Sequence, residues 1–185
     1  VQLPTGAHPR ASVEGEEESP RRCARDVQGG RHDLGVDVAE MTAAEAYETF
    51  LVPHIFGPWA ELVLPAAALR PGQRVLDAAC GSGIVARLAA PAVGSGGAVI
   101  GTDIDEGMLA VARRTGTQDG CAAIDWRRAD AMDLPFPDVS FDAVLCFEGL
   151  QFFPDRARGL AEFHRVLKRG GRLLGTVWGP LEENA

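Results

Sequence analysis

The sequence predicts an α/β protein whose sheet is mostly parallel. Short apolar runs alternate along the chain with stretches of helical periodicity, which is the pattern of strands joined by crossover helices. The clearest unit is segment 74–83, where an apolar strand ends near Asp77 and leads through small residues into a helix. At 185 residues with 46% hydrophobic content, the chain can form one globular domain and a tail.

Three regions are predicted along the chain. Residues 1–40 contain few large apolar side chains and form a disordered N-terminal tail. Residues 41–70 form two helices, one over 42–52 that Thr42 and Glu45 cap and Pro53 ends, and one over 55–64. Residues 71–185 form the sheet domain, with strands over 75–78, 98–102, 124–128, 141–147 and 172–178, and helices over 84–90, 106–114 and 156–168.

The loop at 78–83 is predicted to hold a small polar ligand. Glycines at 81 and 83 allow positive φ and close approach of a ligand, and the next helix presents unpaired N–H groups. The spacing of Gly81, Gly83 and Ala86 also fits a dinucleotide fingerprint, with Asp103 at the position of a ribose-binding acid. An acid at Asp77 favours the cationic S-adenosylmethionine (SAM) over the pyrophosphate of NAD. Its alternative role is to hold the turn by accepting hydrogen bonds from loop amides.

Charge and cysteine usage exclude several classes of partner. The net charge of −8 disfavours nucleic acid and anionic membrane surfaces, because phosphate binding needs clustered Lys and Arg. No run approaches about 18 consecutive apolar residues, so no membrane span is expected. The four cysteines have neither metal spacing nor a C-x-x-C pair, which predicts no metal site, reduced thiols and a cytoplasmic location. His54 and His164 are interpreted as packing or surface residues.

Five segments form an ordered set. They are V-L-D-A-A-C-G-S-G (75–83), V-I-G-T-D-I-D-E-G-M-L (99–109), A-D-A-M-D-L-P-F-P-D-V-S-F-D-A-V-L-C (129–146), L-Q-F-F-P-D (150–155) and H-R-V-L-K-R-G-G-R-L (164–173). In this order they resemble the motifs of class I SAM-dependent methyltransferases, especially the ubiquinone/menaquinone-biosynthesis branch. One departure is K-R-G-G where the family usually has K-P-G-G. The resemblance implies a Rossmann-like three-layer sandwich.

The resemblance implies SAM as cofactor and S-adenosylhomocysteine as product. By motif position, Asp77 and the backbone of 79–81 would hold the methionine part of SAM, and Asp103 would bind the ribose hydroxyls. Asp130 would read the adenine amino group, with turn capping as its alternative role. The residues expected at the cofactor are Tyr47, Asp77, Ala79, Cys80, Gly81, Gly83, Asp103, Ile104, Met108, Asp130, Ala131, Met132, Cys146, Phe147 and Gln151.

The implied reaction is in-line methyl transfer to a small-molecule acceptor. Positioning supplies most of the catalysis, so no dedicated base is obligatory. Glu148 is the best-placed carboxylate if the acceptor must lose a proton, and a surface or helix-capping role is its alternative. Two other functions stay open: a SAM-binding module without catalysis, and an NAD-dependent oxidoreductase.

The sheet is predicted to stop early. The family's sheet has seven strands, the last two antiparallel, whereas this chain ends soon after the fifth strand at 172–178. We therefore expect a domain truncated after its fifth strand. The unpaired apolar edge of that strand would favour a homodimer.

Overall fold

The computed structural model describes residues 40–116 and 121–179, so all of the predicted tail except Glu40 lies outside the described residues. Five strands form one parallel sheet in the order β3-β2-β1-β4-β5. The strands are β1 (Arg74–Ala78), β2 (Ala98–Asp103), β3 (Ile124–Arg128), β4 (Phe141–Phe147) and β5 (Leu167–Thr176). The predicted parallel α/β fold is confirmed.

Helices cover both faces of this sheet. They are α1 (Ala43–Ala67), α2 (Ile84–Val93), α3 (Glu106–Thr115) and α4 (Arg156–Val166), with a short 3-10 turn at Leu150–Phe152. Successive strand residues point to opposite faces, so Val75 packs with α1 and α2 while Leu76 packs in a second cluster with α4. Two cores separated by one sheet make the three-layer sandwich.

The N-terminal helices differ from the prediction. Thr42 and Glu45 form the expected capping box, but Pro53 does not end the helix. Pro53 lies inside a π-helical stretch, Tyr47–Phe56, whose wider turns tolerate a residue that cannot donate a backbone hydrogen bond. The stretch closes where the Gly57 N–H donates to the carbonyl of residue 52, and a Cβ on Gly57 would lie only 2.8 Å from that oxygen. The two predicted helices are therefore one helical segment, α1.

The boundary between α4 and β5 was also predicted wrongly. The helix ends at Val166 instead of residue 168, and β5 begins at once with Leu167 opposite Phe141. A register shift follows between Phe141 and Ala143, because the pair Gly170 and Gly171 lies inside the strand segment and not after a helix. Pairing with β4 therefore overrides the local helical periodicity.

Helix α1 has the length and the hydropathy of a candidate membrane span, although the sequence analysis predicted no such span. Among the described residues it is the one helix long and apolar enough to cross a membrane, at 25 residues and a mean hydropathy of 1.2, by length and composition alone. Helices packed on protein cores pass the same test. Here α1 contributes Val52, Ala60, Leu64 and Ala67 to the core it shares with α2 and the sheet.

Candidate cofactor site

A cavity of about 600 Å³ opens at the carboxyl ends of β1, β2 and β4, beneath the covering helix α1. This edge is where ligands bind in open α/β sheets, and the volume suits a drug-sized molecule. The predicted residues that line it are Tyr47, Asp77, Ala79, Cys80, Gly81, Asp103, Ile104, Met108, Asp130, Ala131, Met132, Phe147, Glu148 and Gln151. The structure thus brings most of the predicted set together around one cavity.

Two predicted residues do not line the cavity. Cys146 is 1% exposed and packs in the core on the α4 face, because it alternates with its strand neighbours. Gly83 turns toward β3: a Cβ there would lie 2.2 Å from the Trp126 ring, and its φ is +89°. Gly83 is required for the turn and for this close packing, while the ligand-facing surface belongs to other residues of the loop.

Asp77 holds the turn between β1 and α2. Its side chain is 1% exposed, and its Oδ2 accepts a hydrogen bond from the Ala86 N–H at 2.9 Å. Burial raises the pKa of Asp77 to about 8, opposed by that hydrogen bond, with the charge of Asp103 adding to the rise. Burial therefore favours the protonated form of this carboxyl when no ligand is bound. The turn-holding role is observed, and the expected preference of Asp77 for a cationic ligand stays a prediction.

Asp103 fixes the position of the glycine loop. The Gly81 N–H donates to Asp103 Oδ2 at 2.7 Å, and the Asp105 N–H donates to Oδ1 at 2.9 Å. The Cys80 N–H also donates to the Thr102 carbonyl at 2.9 Å. A carboxylate offers about four acceptor positions, so these two amides orient Asp103 and leave capacity for the two hydroxyls of a ribose.

Asp130 occupies the turn after β3. Its Oδ1 accepts from the Met132 N–H at 2.8 Å, so the turn-capping alternative is also observed. Asp130 still lines the cavity together with Ala131 and Met132, on the side where Ile104 projects with 62% of its surface exposed. This end of the cavity has apolar walls and one polar edge, which suits a purine ring.

Aromatic residues of α1 close the opposite side. The Tyr47 ring lies about 3.8 Å from the position of a Cβ on Gly81 and stacks on Phe56 with 5.0 Å between ring centroids. Burial raises the pKa of Tyr47, and the carboxylates around it raise it further. Phe56 and Trp59 line the cavity but were not predicted to do so. The missed signal was their spacing with Tyr47, which one continuous helix brings to the same side.

Glu148 and Gln151 lie at the end of β4. Glu148 has a φ of +55°, a backbone conformation that costs free energy for a non-glycine residue, and its N–H donates to the Thr176 carbonyl at 3.0 Å. The Gln151 Nε2 donates to the Glu148 carbonyl at 3.1 Å, while its Oε1 accepts from the Trp178 N–H at 3.2 Å. Gln151 therefore joins the β4 loop to the chain after β5. Phe152 and Trp178, neither of them predicted, complete this rim.

Burial disfavours the reactive thiolate of Cys80, which lines the cavity, and of Cys146, which packs in the core. Cys80 and Cys146 are buried free thiols. Burial raises the pKa of Cys146 to about 12 and that of Cys80 well above its usual value, with nearby acids adding to both shifts. The reduced state expected of all the cysteines does not extend to Cys121, which is disulfide-bonded.

The cavity lining is acidic. Five carboxyl groups line the described cavity, and no Lys, Arg or His does: Asp77, Asp103, Asp105, Asp130 and Glu148. Even with Asp77 protonated, the other four carboxyl groups would repel a pyrophosphate and attract a ligand that carries positive charge. The fold and the cavity together define a Rossmann-like α/β domain with a site for a cationic nucleoside.

The chain belongs to the methyltransferase domain family, whose sequence model matches residues 76–175. It is 47% identical over 115 residues to the 2-phytyl-1,4-naphtoquinone methyltransferase of Synechococcus elongatus, covering 62% of this chain and 49% of that protein. It is 44% identical to the ubiquinone/menaquinone biosynthesis C-methyltransferase UbiE of Xanthomonas campestris, covering 62% of this chain and 46% of the relative. The chain thus spans about half the length of these curated relatives.

The fold agrees with this family. A SAM-dependent methyltransferase from Aquifex aeolicus superposes with a TM-score of 0.60 at 25% identity, covering 68% of this chain and 71% of that structure. The resemblance to class I SAM-dependent methyltransferases is confirmed, and both the family and the fold support SAM as the cofactor. The dinucleotide alternative fits neither the lining charge nor the family.

Proposed function

We propose that this protein transfers the methyl group of SAM to a small-molecule acceptor. The observation that carries the proposal is the acid-lined cavity at the carboxyl edge of a five-stranded parallel sheet, in a chain of the methyltransferase family. SAM supplies a methyl group already activated by its sulfonium. What remains for the protein is to bind the cofactor, place the acceptor in line and exclude water.

The donor set of the cavity fits SAM. Asp103, already oriented by two backbone amides, would accept hydrogen bonds from both ribose hydroxyls. The apolar walls at Ile104 and Met108 and the turn at Asp130 would hold the adenine. Asp77 and the backbone of residues 79–81 would face the methionine part, where a cationic group converts Asp77 to its ionised form.

The acceptor would enter at the aromatic end. Phe56, Trp59, Phe147, Phe152 and Trp178 are aromatic residues of the cavity lining that could form such an end. Flat apolar walls suit a planar ring, and the names of the relatives point to quinone-like acceptors, a class that we extend to this chain as part of the proposal. An acceptor that carries its own negative charge would be repelled by the acidic lining.

Glu148 would act as the general base where the acceptor must lose a proton. It is 8% exposed, it lines the cavity, and its backbone is pinned to β5 in a conformation that the local structure must enforce. Gln151 Nε2 lies 3.5 Å from Glu148 Oε2 and would help to orient the carboxylate. A shielded and oriented carboxylate in this position would accept a proton from the methyl acceptor.

The proposal also includes a cytoplasmic location. It includes no nucleic-acid partner, because a net charge of −8 disfavours binding to a phosphate backbone. A homodimer would form along β5, the outer strand of the described sheet, where Leu173 is 43% exposed. Cell fractionation tests the location, and sedimentation velocity with and without a Leu173→Lys substitution tests the dimer.

Calorimetric titration separates the candidate ligands. We expect SAM and S-adenosylhomocysteine to bind and NAD not to bind; NAD binding without SAM binding would overturn the proposal. Transfer of a radiolabelled methyl group to quinols, phenols and amines then tests catalysis. SAM binding without transfer to any of them favours the second candidate, a SAM-binding module without catalysis.

A further inference from the structure

The side chain of Arg87 connects two elements that meet at the cofactor site. Arg87 lies in α2, and its Nη1 donates to the carbonyl of Ser82 in the glycine loop at 2.5 Å. Its Nη2 donates to Glu48 Oε1 on α1 at 2.7 Å. One guanidinium therefore joins the loop after β1 to the helix that covers the cavity.

This ion pair is largely shielded from solvent. The Arg87 side chain is 13% exposed and the Glu48 side chain 21%. The second oxygen of Glu48, Oε2, is buried without a hydrogen-bond partner among the described residues. The contact with Arg87 is therefore what compensates the burial of this carboxylate, and a shielded pair of this kind constrains geometry more than an exposed one.

The pair acts next to the cofactor surface. Glu48 follows Tyr47, whose ring covers Gly81 and lines the cavity. A second ion pair, Glu45 with Arg114 at 2.9 Å, joins the start of α1 to α3, but it is much more exposed. The glycine loop and Tyr47 line the same cavity, so its shape depends on the position of α1, and the Arg87 contact is the shielded link that holds α1 against the loop.

We infer that Arg87 and Glu48 are positioning residues for SAM: their ion pair latches α1 over the glycine loop and slows release of the cofactor. The inference rests on the proposed function, because it concerns affinity for the same ligand. Without the pair, α1 populates unseated positions, and the apparent affinity falls with the fraction of molecules that remain seated. In a variant that alters only Glu48 the loss should be mainly in the dissociation rate, since Asp103, Asp77 and the charge of Arg87, which lowers the pKa of Asp77, are unchanged.

The test compares SAM binding in three variants with the unaltered chain. Glu48→Gln removes the charge and keeps the shape; Glu48→Leu with Arg87→Met replaces the pair by apolar groups; Asp125→Asn breaks an exposed ion pair on β3 as the control. Calorimetry gives the Kd, and stopped-flow tryptophan fluorescence gives the dissociation rate. If loss of the ion pair leaves α1 packed against the glycine loop in about one molecule in ten, the Kd should rise about tenfold in the first two variants. The Kd of the control should be unchanged.

The apolar double variant separates positioning from folding. Replacing a shielded ion pair by well-packed apolar residues commonly preserves stability, so this variant should melt near the temperature of the unaltered chain. If the ion pair only stabilises the fold, the double variant should bind SAM as tightly as the unaltered chain once its stability is preserved. A latch predicts that affinity stays low and that the amides of α1 exchange hydrogen faster in the SAM-bound variant.

Two results would overturn the inference. If Glu48→Gln or the apolar double variant binds SAM with unaltered Kd and dissociation rate, the ion pair does not hold the cofactor, and the proposed function is unaffected. An unaltered chain that binds no SAM removes the proposed function and the latch with it.

Discussion

Lowering the pH should weaken SAM binding steeply, because Asp77 must lose a proton when a cationic ligand arrives. In the empty site burial raises the pKa of Asp77 to about 8. A unit positive charge about 4 Å away, at an effective dielectric of about 20, favours the ionised form by about 4 kcal/mol. An attraction of this size lowers the pKa of Asp77 well below about 8 in the complex, so that the ligand binds to the ionised form.

The magnitude follows from the difference between the pKa of Asp77 in the empty site, about 8, and its lower pKa in the complex. At pH values between the two, each pH unit changes the Kd by up to about tenfold, so lowering the pH from about 7.5 to 5.5 should raise it by up to roughly a hundredfold. An α-amino group has a pKa of about 8, so that of SAM is protonated over most of this window and begins to lose its proton only at its upper end. No histidine lines the described cavity, and the pKa values of its tyrosine and cysteine are raised away from the window.

Calorimetry in buffers with different ionisation enthalpies measures the coupled proton directly. At pH 7 we expect release of about 0.9 proton per SAM bound. Asp77→Asn is the matched control, because its Oδ1 can still accept from the Ala86 N–H. Proton release should vanish in this variant and its Kd should depend little on pH. A Kd for the unaltered chain that stays flat from about pH 5.5 to 7.5 would refute the reasoning.

The same titration affects folding with a defined sign. The folded pKa of Asp77 lies above the unfolded value of 3.8, so the folded state binds more protons between pH 3.8 and about 8. The contribution of Asp77 to stability is therefore full below pH 3.8 and is lost as the pH rises through about 8. Relative to the unaltered chain, ligand-free Asp77→Asn should gain stability as the pH rises, which thermal melts across this range measure.

Other substitutions test the remaining parts of the site. Asp103→Ala should raise the SAM Kd at least about tenfold by calorimetry, since it removes the ribose acceptor and the partner of the loop amides. Gly83→Ala should cost about 1–3 kcal/mol in urea unfolding, because its φ is positive and its Cβ would meet an indole ring. Glu148→Gln should lower kcat about a hundredfold for an acceptor that loses a proton, and it should change the SAM Kd by a much smaller factor. Cys80 and Cys146 should resist iodoacetamide at pH 7 in the folded chain and react in urea, as mass spectrometry would show.

Local signals located most strands correctly. Strands 124–128 and 141–147 were predicted to the residue, because each is a short run bounded by turn residues or polar loops. The predictions over α1 and the start of β5 were wrong, because their local cues were overridden. Pro53 is tolerated by a π-helical turn, and Leu167 joins a strand because β4 offers it a partner.

Motif order predicted the acidic residues that line the cavity, whereas several of its aromatic lining residues were not predicted. Asp77, Asp103 and Asp130 each follow or end a predicted strand, so parallel pairing brings them to one edge. Phe56, Trp59 and Trp178 come from the helix before the sheet and the segment after it. Their positions depend on how these segments pack, which local periodicity does not specify.

The sequence by itself determined the order of strands and helices, the glycine turn and the acids at the strand ends, because these depend on residues near one another in the chain. Only the tertiary structure decided the charge state of Asp77 and the link from Arg87 to the covering helix. A pKa depends on how completely a group is removed from water, and an ion pair on whether distant segments meet. Both are properties of packing, which exist only once the sheet, α1 and α2 have come together.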